Sequence, residues 1–350
     1  MKIFQCGHCH HPLFFENYKC ENCGHLSGYF DIDSKMLTFD PSIKLLISDR
    51  ESIAYKYCKN YDYGVCNWLV KKSDSNQFCS ACQLNRTIPK NKKKKNFPKW
   101  KKLEIAKHRL IYQLYKIGFS LPSKLVDNNG LCFDFVAKQD DPQIMTGHSN
   151  GVITILIKEA DSVHRERMRK LMSEPYRTLI GHLRHEVGHY FWDQLVFSNQ
   201  EVLSQFRALF GDDQENYSDA LKSYYKKGAP DDWQKSYISK YATSHPWEDW
   251  AETWAHYLHI MDMVETAHNF GLNISPPEEL KELKTESTFD PYTQKDFNAV
   301  IDVCMPLSFA VNSFNRAMGI PDAYPFVISP SVVEKMVFIH DLMNNREKVN

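Results

Sequence analysis

Eight of the ten cysteines in this 350-residue chain lie before residue 83, and their spacing constrains the fold more than any other feature. The first four form two Cys-x-x-Cys pairs, "CGHC" and "CENC": Cys6, Cys9, Cys20 and Cys23. Each pair can present two thiolates to one ion, and two pairs complete a tetrahedral site, so we predict structural zinc. The alternative is a redox motif, which normally begins a helix in a βαβ unit, and no such pattern surrounds these pairs. Three nearby histidines are treated as surface residues: His8, His10 and His11.

The second cysteine group contains only one doublet, "CSAC", and comprises Cys58, Cys66, Cys79 and Cys82. Its spacing also predicts a four-cysteine zinc site, although free cysteine is often simply a small buried side chain. Structural zinc can take the place of a hydrophobic core in a small unit. The isolated Cys132 and Cys304 are predicted to be core residues.

The composition favours a soluble globular protein, with 43% apolar and 25% charged residues. The formal net charge is zero, so no global field attracts nucleic acid or a membrane. No apolar run is long enough to suggest a membrane span, and the N-terminus lacks the apolar core of a signal peptide. We therefore predict a cytoplasmic protein, in which closely spaced cysteines hold metal rather than form disulfides.

A lysine-rich run from Lys90 to Lys102 carries eight lysines and no acid. Like charges repel, which favours a solvated linker. Contact with nucleic acid is the alternative, but Phe97 and Trp100 are its only aromatic residues, which is little support for base stacking. The predicted organisation is a zinc-ribbon region at 1–88, a basic linker at 89–102 and a larger domain at 103–350.

The larger domain contains "RHEVGHYFW", in which His185 and His189 are separated by one helical turn and Glu186 follows the first histidine. Apolar spacing places this stretch on an amphipathic helix that is predicted to begin near Ser173. The polar side carries His182, His185, Glu186, His189 and Asp193. Two imidazoles one turn apart can share one metal ion, and such pairs occur in zinc peptidases. The same spacing also fits an ordinary helix, so a third ligand is needed.

The stretch "SHPWEDWAETWAHYLH" supplies candidates for that ligand, on a helix predicted to start at Pro246. Glu248 and Glu252 lie one turn apart among tryptophans, where carboxylates are costly to bury unless a cation meets them. We assign Glu248 as the third zinc ligand and Glu252 as the acceptor that orients a ligand histidine. The opposite assignment remains open.

Further upstream, helical spacing begins at Trp100, "GVITILI" (151–157) is predicted to be a strand, and a helix is predicted for 161–172. In zincins such a strand can be an edge that pairs with extended substrate backbone, so we predict that it lines the cleft; a core strand is the alternative.

Taken together, four blocks resemble the bacterial zinc-binding metallopeptidase family that carries an N-terminal zinc ribbon. The blocks are "FCSACQLNRTIP", "PYRTLIGHLRHEVGHYFW", "HPWEDWAETWAHYLHIMD" and "SFNRAMGIPDAYPFVISP". The resemblance implies an α+β protein in which zinc ribbons precede a mainly helical, zincin-like peptidase domain with a small sheet. "EDWAE" is also similar to the gluzincin arrangement, in which a ligand glutamate is followed by an acid that holds a ligand histidine.

The resulting hypothesis is a peptidase acting on a peptide or protein, with one catalytic Zn²⁺, one or two structural Zn²⁺ and Glu186 as general base. Gluzincins usually have a further oxyanion donor, and this sequence leaves four possibilities: His245, Tyr241, Tyr257 and Tyr324. Two alternatives are an adaptor that binds nucleic acid or protein through its ribbons, and an enzyme that hydrolyses a non-peptide bond.

Overall fold

A computed structural model describes residues 2–43, 46–47, 53–89, 96–137, 144–171 and 177–345. The chain divides into two compact units, Lys2–His164 (the N-terminal unit) and Arg165–Asn350 (the C-terminal unit). Small sheets dominate the cysteine-rich region and helices dominate the C-terminal unit, so the predicted α+β class is confirmed. The predicted boundaries at residues 88 and 102 stay predictions.

Short antiparallel strands carry the cysteine-rich part of the N-terminal unit. They form three separate sheets, in which β1 pairs with β2, β3 with β4, and β6 with both β5 and β7. The strands are β1 (Phe4–Gln5), β2 (Pro12–Leu13), β3 (Leu26–Phe30), β4 (Lys35–Phe39), β5 (Leu46–Ile47), β6 (Ala54–Tyr57) and β7 (Leu69–Lys71).

The same unit has a buried aromatic core, which corrects the expectation that zinc would take the place of one. Phe15 lies against Tyr29 with a ring-centroid distance of 4.7 Å, and Tyr29 lies against Trp68 at 4.8 Å. Tyr112, whose ring centroid is 5.4 Å from that of Phe15, comes from helix α2 (Phe97–Ile117). The ribbon region therefore shares its core with a helix that the sequence analysis assigned mostly to the larger domain.

Helix α2 also begins inside the predicted linker, so residues 97–102 are helical rather than extended. A short helix, α1 (Ser80–Gln83), precedes it. Residues 90–95 lie outside the described residues, and the linker prediction remains untested for them.

A four-stranded mixed sheet completes the N-terminal unit, in the order β10, β11, β9, β8. The strands are β8 (Asn85–Thr87), β9 (Cys132–Val136), β10 (Gly147–Ser149) and β11 (Val152–Leu156). The turn between β10 and β11 is Asn150-Gly151, with φ of 45° and 71°, as a tight hairpin requires. Among the described residues, β11 pairs with β9 along its whole length and with β10 along residues 152–154, so it is an inner strand of the sheet, as in the core-strand alternative. The expectation that this strand pairs with substrate backbone is therefore wrong.

Helices make up most of the C-terminal unit, and α3 runs across the boundary between the units. They are α3 (Ser162–Leu171), α4 (Leu179–Trp192), α5 (Gln200–Phe210), α6 (Tyr217–Lys227), α7 (Pro246–Phe270), α8 (Phe297–Ala317) and α9 (Pro330–Asn344). A two-stranded pairing joins β12 (Asn273–Ile274) to β13 (Thr285–Glu286).

Helices α4 and α7 pack closely against each other, and Gly188 permits this approach. A Cβ atom at this position would lie 3.1 Å from Cα of Ala251 and 3.1 Å from Cδ1 of Trp254. Trp250 Nε1 donates a hydrogen bond to the carbonyl oxygen of Gly188 at 2.8 Å. Trp250 and Trp254 are fully buried, so this contact is also the centre of the core. The absence of a side chain at residue 188 thus lets α7 approach the helix that carries the two histidines.

The start of α4 differs from the prediction. The helix begins at Leu179, and Thr178 is its N-cap, whose Oγ1 accepts a hydrogen bond from the backbone N of Gly181 at 3.1 Å. The predicted start, Ser173, lies outside the described residues.

Helix α8 also corrects an expectation, because by length and composition alone it could cross a membrane. Its first half is packed into the core of the C-terminal unit, where Val300, Val303 and Leu307 are buried.

Candidate metal centres

The first cysteine group converges as its spacing predicts. The Sγ atoms of Cys6 and Cys23 are 3.6 Å apart, and those of Cys9 and Cys20 are also 3.6 Å apart. Ligands at the usual Zn–S length would be about 3.8 Å apart in a tetrahedral site. Cys6 and Cys20 are buried, whereas Cys9 and Cys23 are partly exposed. A hydrogen bond from Asn22 lowers the pKa of Cys9 to about 6, which favours the thiolate that zinc binds.

The second cysteine group is entirely buried and also converges. The Sγ atoms of Cys66 and Cys79 are 3.8 Å apart, again the separation of a tetrahedral zinc site. Cys79 is the N-cap of α1, and Cys82 lies in its single turn, so this short helix presents the doublet. Cys132 and Cys304, predicted to be core residues, are buried elsewhere.

Helix α2 adds polar groups to the second site that the sequence analysis missed. His108 Nε2 lies 3.5 Å from Cys66 Sγ and 3.6 Å from Cys82 Sγ. One turn earlier on α2, the buried Glu104 forms an ion pair with Lys107, with Oε2 and Nζ 2.7 Å apart. Burial opposes charge on Lys107, but Glu104 and the nearby thiols hold its pKa above the ordinary value. Cationic and N–H groups of this kind balance the negative charge of four thiolates around one divalent ion.

The third centre brings His185, His189 and Glu248 together, as the sequence analysis expected. The two Nε2 atoms are 3.2 Å apart, and Glu248 Oε2 lies 3.0 Å from that of His185 and 3.5 Å from that of His189. Ligands at about 2.0–2.1 Å from a tetrahedral zinc ion would be roughly 3.3 Å apart, so the three atoms fit one ion. Glu248 Oε2 is buried, and it makes no hydrogen bond of acceptable geometry to a described residue. A bound cation would satisfy that atom.

The second glutamate of α7 meets the other side of the first histidine. Glu252 Oε1 lies 2.7 Å from Nδ1 of His185, and Ser239 Oγ donates a hydrogen bond to Glu252 Oε2 at 2.7 Å. His185 therefore has its Nε2 toward Glu248 and its Nδ1 toward Glu252. Burial alone would lower the pKa of His185, but the two carboxylates hold it well above the ordinary value. For Glu248, the neighbouring imidazoles outweigh burial and hold the pKa well below its ordinary value.

Glu186 lies beside this centre but outside the converging group. Its Oε1 is 3.1 Å from Nε2 of His182, one turn earlier on α4. Burial opposes ionisation, yet the neighbouring histidines, His182 first, lower the pKa of Glu186. The buried carboxylate is thus held in its basic form, as a proton acceptor must be.

The four candidate oxyanion donors differ in their hydrogen-bond partners and in how close they lie to the His–Glu centre. His245 caps α7, accepting a hydrogen bond from Trp247 N, and Tyr257 is bonded to His340 at 3.0 Å. Tyr324 is bonded to His256 at 2.9 Å. Only Tyr241 has its ring near a converging histidine, with a centroid 6.0 Å from that of His185.

Two further aromatic residues, which the sequence analysis did not assign to the site, contact it. Tyr217 Oη donates to Glu248 Oε1 at 2.5 Å, and the rings of Trp247 and His189 are 3.7 Å apart. Burial and the nearby Glu248 raise the pKa of both Tyr217 and Tyr241, which therefore keep their hydroxyl protons. Tyr217 has no local sequence signal, but Trp247 adjoins Glu248 and could have been suspected.

Comparison with known proteins agrees with this arrangement. Residues 3–93 match a zinc-ribbon domain family, and residues 96–342 match the family described as "Putative zinc-binding metallo-peptidase". An uncharacterized protein of Mycobacterium bovis and two from strains of Mycobacterium tuberculosis are each 40% identical over 347 residues, covering 98% of this chain and 96% of the relative. No solved structure matches the chain. The chain therefore belongs to the family described as putative zinc-binding metallo-peptidases, and it carries the N-terminal zinc-ribbon domain that its cysteines predicted.

Proposed function

We propose that this chain is a zinc-dependent peptidase that hydrolyses peptide bonds in a peptide or protein substrate. The observation that carries the proposal is the convergence of His185, His189 and Glu248 with the separate carboxylate of Glu186 beside them. A carboxylate beside three converging ligand atoms, but not one of them, can accept a proton from a water molecule. Membership of a family described as zinc-binding metallo-peptidases supports the same reading.

In this proposal His185, His189 and Glu248 hold the catalytic ion, and the two cysteine groups hold structural zinc. A Zn²⁺ ion held by three side chains would supply Lewis acidity to a substrate carbonyl and to a water molecule. Glu252 accepts the hydrogen bond from His185 Nδ1 and fixes the ring with Nε2 toward Glu248. Ser239 in turn holds Glu252.

Glu186 takes a proton from the attacking water and delivers it to the leaving amine. The lowered pKa keeps the carboxylate ionised and so able to accept a proton, and the bond to His182 directs it. We assign the oxyanion donor to Tyr241, because Tyr217 already donates its hydroxyl to Glu248. This assignment makes the site similar to the gluzincin pattern, in which a separate side chain supports the oxyanion.

The test compares proteins cleaved by wild type with those cleaved by Glu186→Gln in the same bacterial extract. Glu186→Gln removes the proton acceptor and leaves the three ligands unchanged, so it should retain its full zinc content. We expect new protein termini with wild type alone. Equal cleavage by both proteins, at equal zinc content, would refute the assigned role of Glu186. Absence of cleavage by fully zinc-loaded wild type across the extract and a random peptide library would refute the peptidase function.

A further inference from the structure

A cavity of about 260 Å³ lies in the C-terminal unit next to the His–Glu centre. Two of its lining residues also touch that centre. The ring of Trp247 lies against that of His189, and Tyr217 donates its hydroxyl to Glu248. A third, Asp193, lies one turn after His189, on the side of α4 that carries the motif. A substrate bound at the centre would therefore have this cavity within reach of a side chain close to the scissile bond.

Acidic groups give the cavity its charge. Three carboxylates line it, those of Asp193, Asp213 and Glu215. Asp213 is neutralised by Arg207, whose Nε lies 2.6 Å from its Oδ1. Asp193 and Glu215 have no hydrogen bond or ion pair from their carboxylates to any residue in the part of the chain that the structure describes. Burial raises the pKa of Asp193 more than the nearby His189 lowers it.

Aromatic residues form much of the remaining wall. Trp192 is buried, with a relative exposure of 7%, and its Nε1 has no hydrogen-bond partner among the described residues. Trp247 and Tyr217 supply two further rings. Aromatic faces attract cations, and a planar guanidinium can stack on a ring while it bonds to a carboxylate.

A metal ion is a poor occupant for this cavity. A small metal ion needs at least three ligand atoms close together. Among the described residues, several groups of Asp, Glu, His or Cys have such atoms within 4.8 Å of one another, but the three carboxylates of this cavity do not form such a group. The acids are therefore too dispersed to surround a small ion, whereas a longer organic cation can reach them separately.

We propose that this cavity binds the cationic side chain of an arginine or lysine adjacent to the scissile bond of the substrate. The proposal rests on the peptidase function and names its substrate class. Asp193 and Glu215 pair with the charged head of the side chain, and the aromatic rings contact its stem and flat face.

The first experiment measures binding without hydrolysis. Full-length, zinc-loaded Glu186→Gln protein is titrated into a fluorescein-labelled alanine–glycine peptide with one central arginine, and anisotropy is recorded. The matched peptide carries citrulline, which has nearly the same shape but no charge. A charge-assisted contact of this kind changes affinity by roughly 10- to 100-fold, so we expect the arginine peptide to bind at least tenfold more tightly. Equal binding of the two peptides, or no binding of either, overturns the proposal.

A variant then locates the preference. Asp193→Asn in the Glu186→Gln background should reduce the arginine-over-citrulline ratio by about tenfold. Glu201→Gln is the matched control, because Glu201 is an exposed acid on α5 that does not line the cavity. An unchanged ratio in Asp193→Asn would refute the assignment to this cavity.

The hydrolysis arm separates this proposal from the function on which it rests. Wild type should cut the arginine peptide with a higher kcat/KM than the citrulline peptide, and mass spectrometry of the products gives the position of arginine relative to the cut. If both peptides are cut equally, the peptidase function stands and the cavity proposal fails. If the arginine peptide binds selectively but wild type cuts neither it nor the extract nor the peptide library, cation binding by the cavity stands and the peptidase function fails.

Discussion

The two cysteine centres and the His–Glu centre differ in how many side chains surround the presumed ion and in what lies next to them. Each cysteine centre has four converging thiols, which fill a tetrahedral coordination sphere. The His–Glu centre has three converging atoms and a further carboxylate, Glu186, that is not one of them. A filled sphere leaves no position for a substrate, whereas three ligands leave one. The proposed structural and catalytic centres therefore differ in the number of ligands and in the presence of an adjacent base, not in the metal that they would hold.

Replacement of a ligand in the His–Glu centre should have the largest effect, and the effect should be on activity. We expect His189→Ala to reduce peptide hydrolysis by roughly 10⁴-fold or more, because ligand and base act as a unit. Zinc content should fall from three ions per chain to two, and thermal stability should change little. Emission spectrometry and calorimetry measure both. Loss of cooperative unfolding in His189→Ala would show that this centre, too, is structural.

Replacement of a buried cysteine should instead lower the stability of the fold. We expect Cys66→Ala to lower the free energy of unfolding by more than about 4 kcal/mol, since structural zinc contributes directly to folding. Hydrogen exchange should show the loss in the N-terminal unit, including α2, with which the cysteine region shares its core. The matched control is Cys132→Ala, a buried cysteine outside the group. If Cys66→Ala is no more destabilising than that control, the site contributes no structural zinc.

The two glutamates of α7 offer a finer comparison within one centre. We expect Glu252→Gln to weaken zinc affinity by about 10- to 100-fold, because an orienting partner of a ligand is lost. Glu248→Gln should weaken it further, because a ligand is lost. Competition with a fluorescent chelator measures both constants. The reverse order would make Glu252 the ligand and refute the present assignment.

The smallest difference is expected between the two cysteine centres. Both are proposed to be structural, but they should lose zinc at different rates. Cys9 and Cys23 are partly exposed, whereas all four thiols of the second group are buried. We therefore expect a chelator to remove the first zinc about tenfold faster than the second, because less of the fold must open. Asn22→Ala, which removes a hydrogen bond to Cys9 Sγ, should accelerate the release of zinc from the first cysteine centre and not from the second. Two phases of equal rate would show that exposure does not control release.

Local spacing was sufficient to predict the cysteine groups, the amphipathic helix around His185 and the helix beginning at Pro246. It was not sufficient for the start of α4, which is at Leu179 rather than near Ser173. It also missed the pairing of β11, because the sequence of a buried strand does not show how many neighbours it has. A domain boundary drawn from charge at residue 102 did not reveal that α2 packs into the cysteine region.

Side chains that lie close along the chain can be predicted to meet from local spacing alone. Two Cys-x-x-Cys pairs, and two histidines four residues apart, are brought together by backbone geometry that repeats every few residues. Only the tertiary structure decided which distant groups join them. His108 approaches Cys66 across 42 residues, and Glu252 approaches His185 across 67. The second meeting depends on Gly188, where the absence of a side chain lets α7 pack against α4, and such packing is a property of two surfaces together rather than of either segment alone.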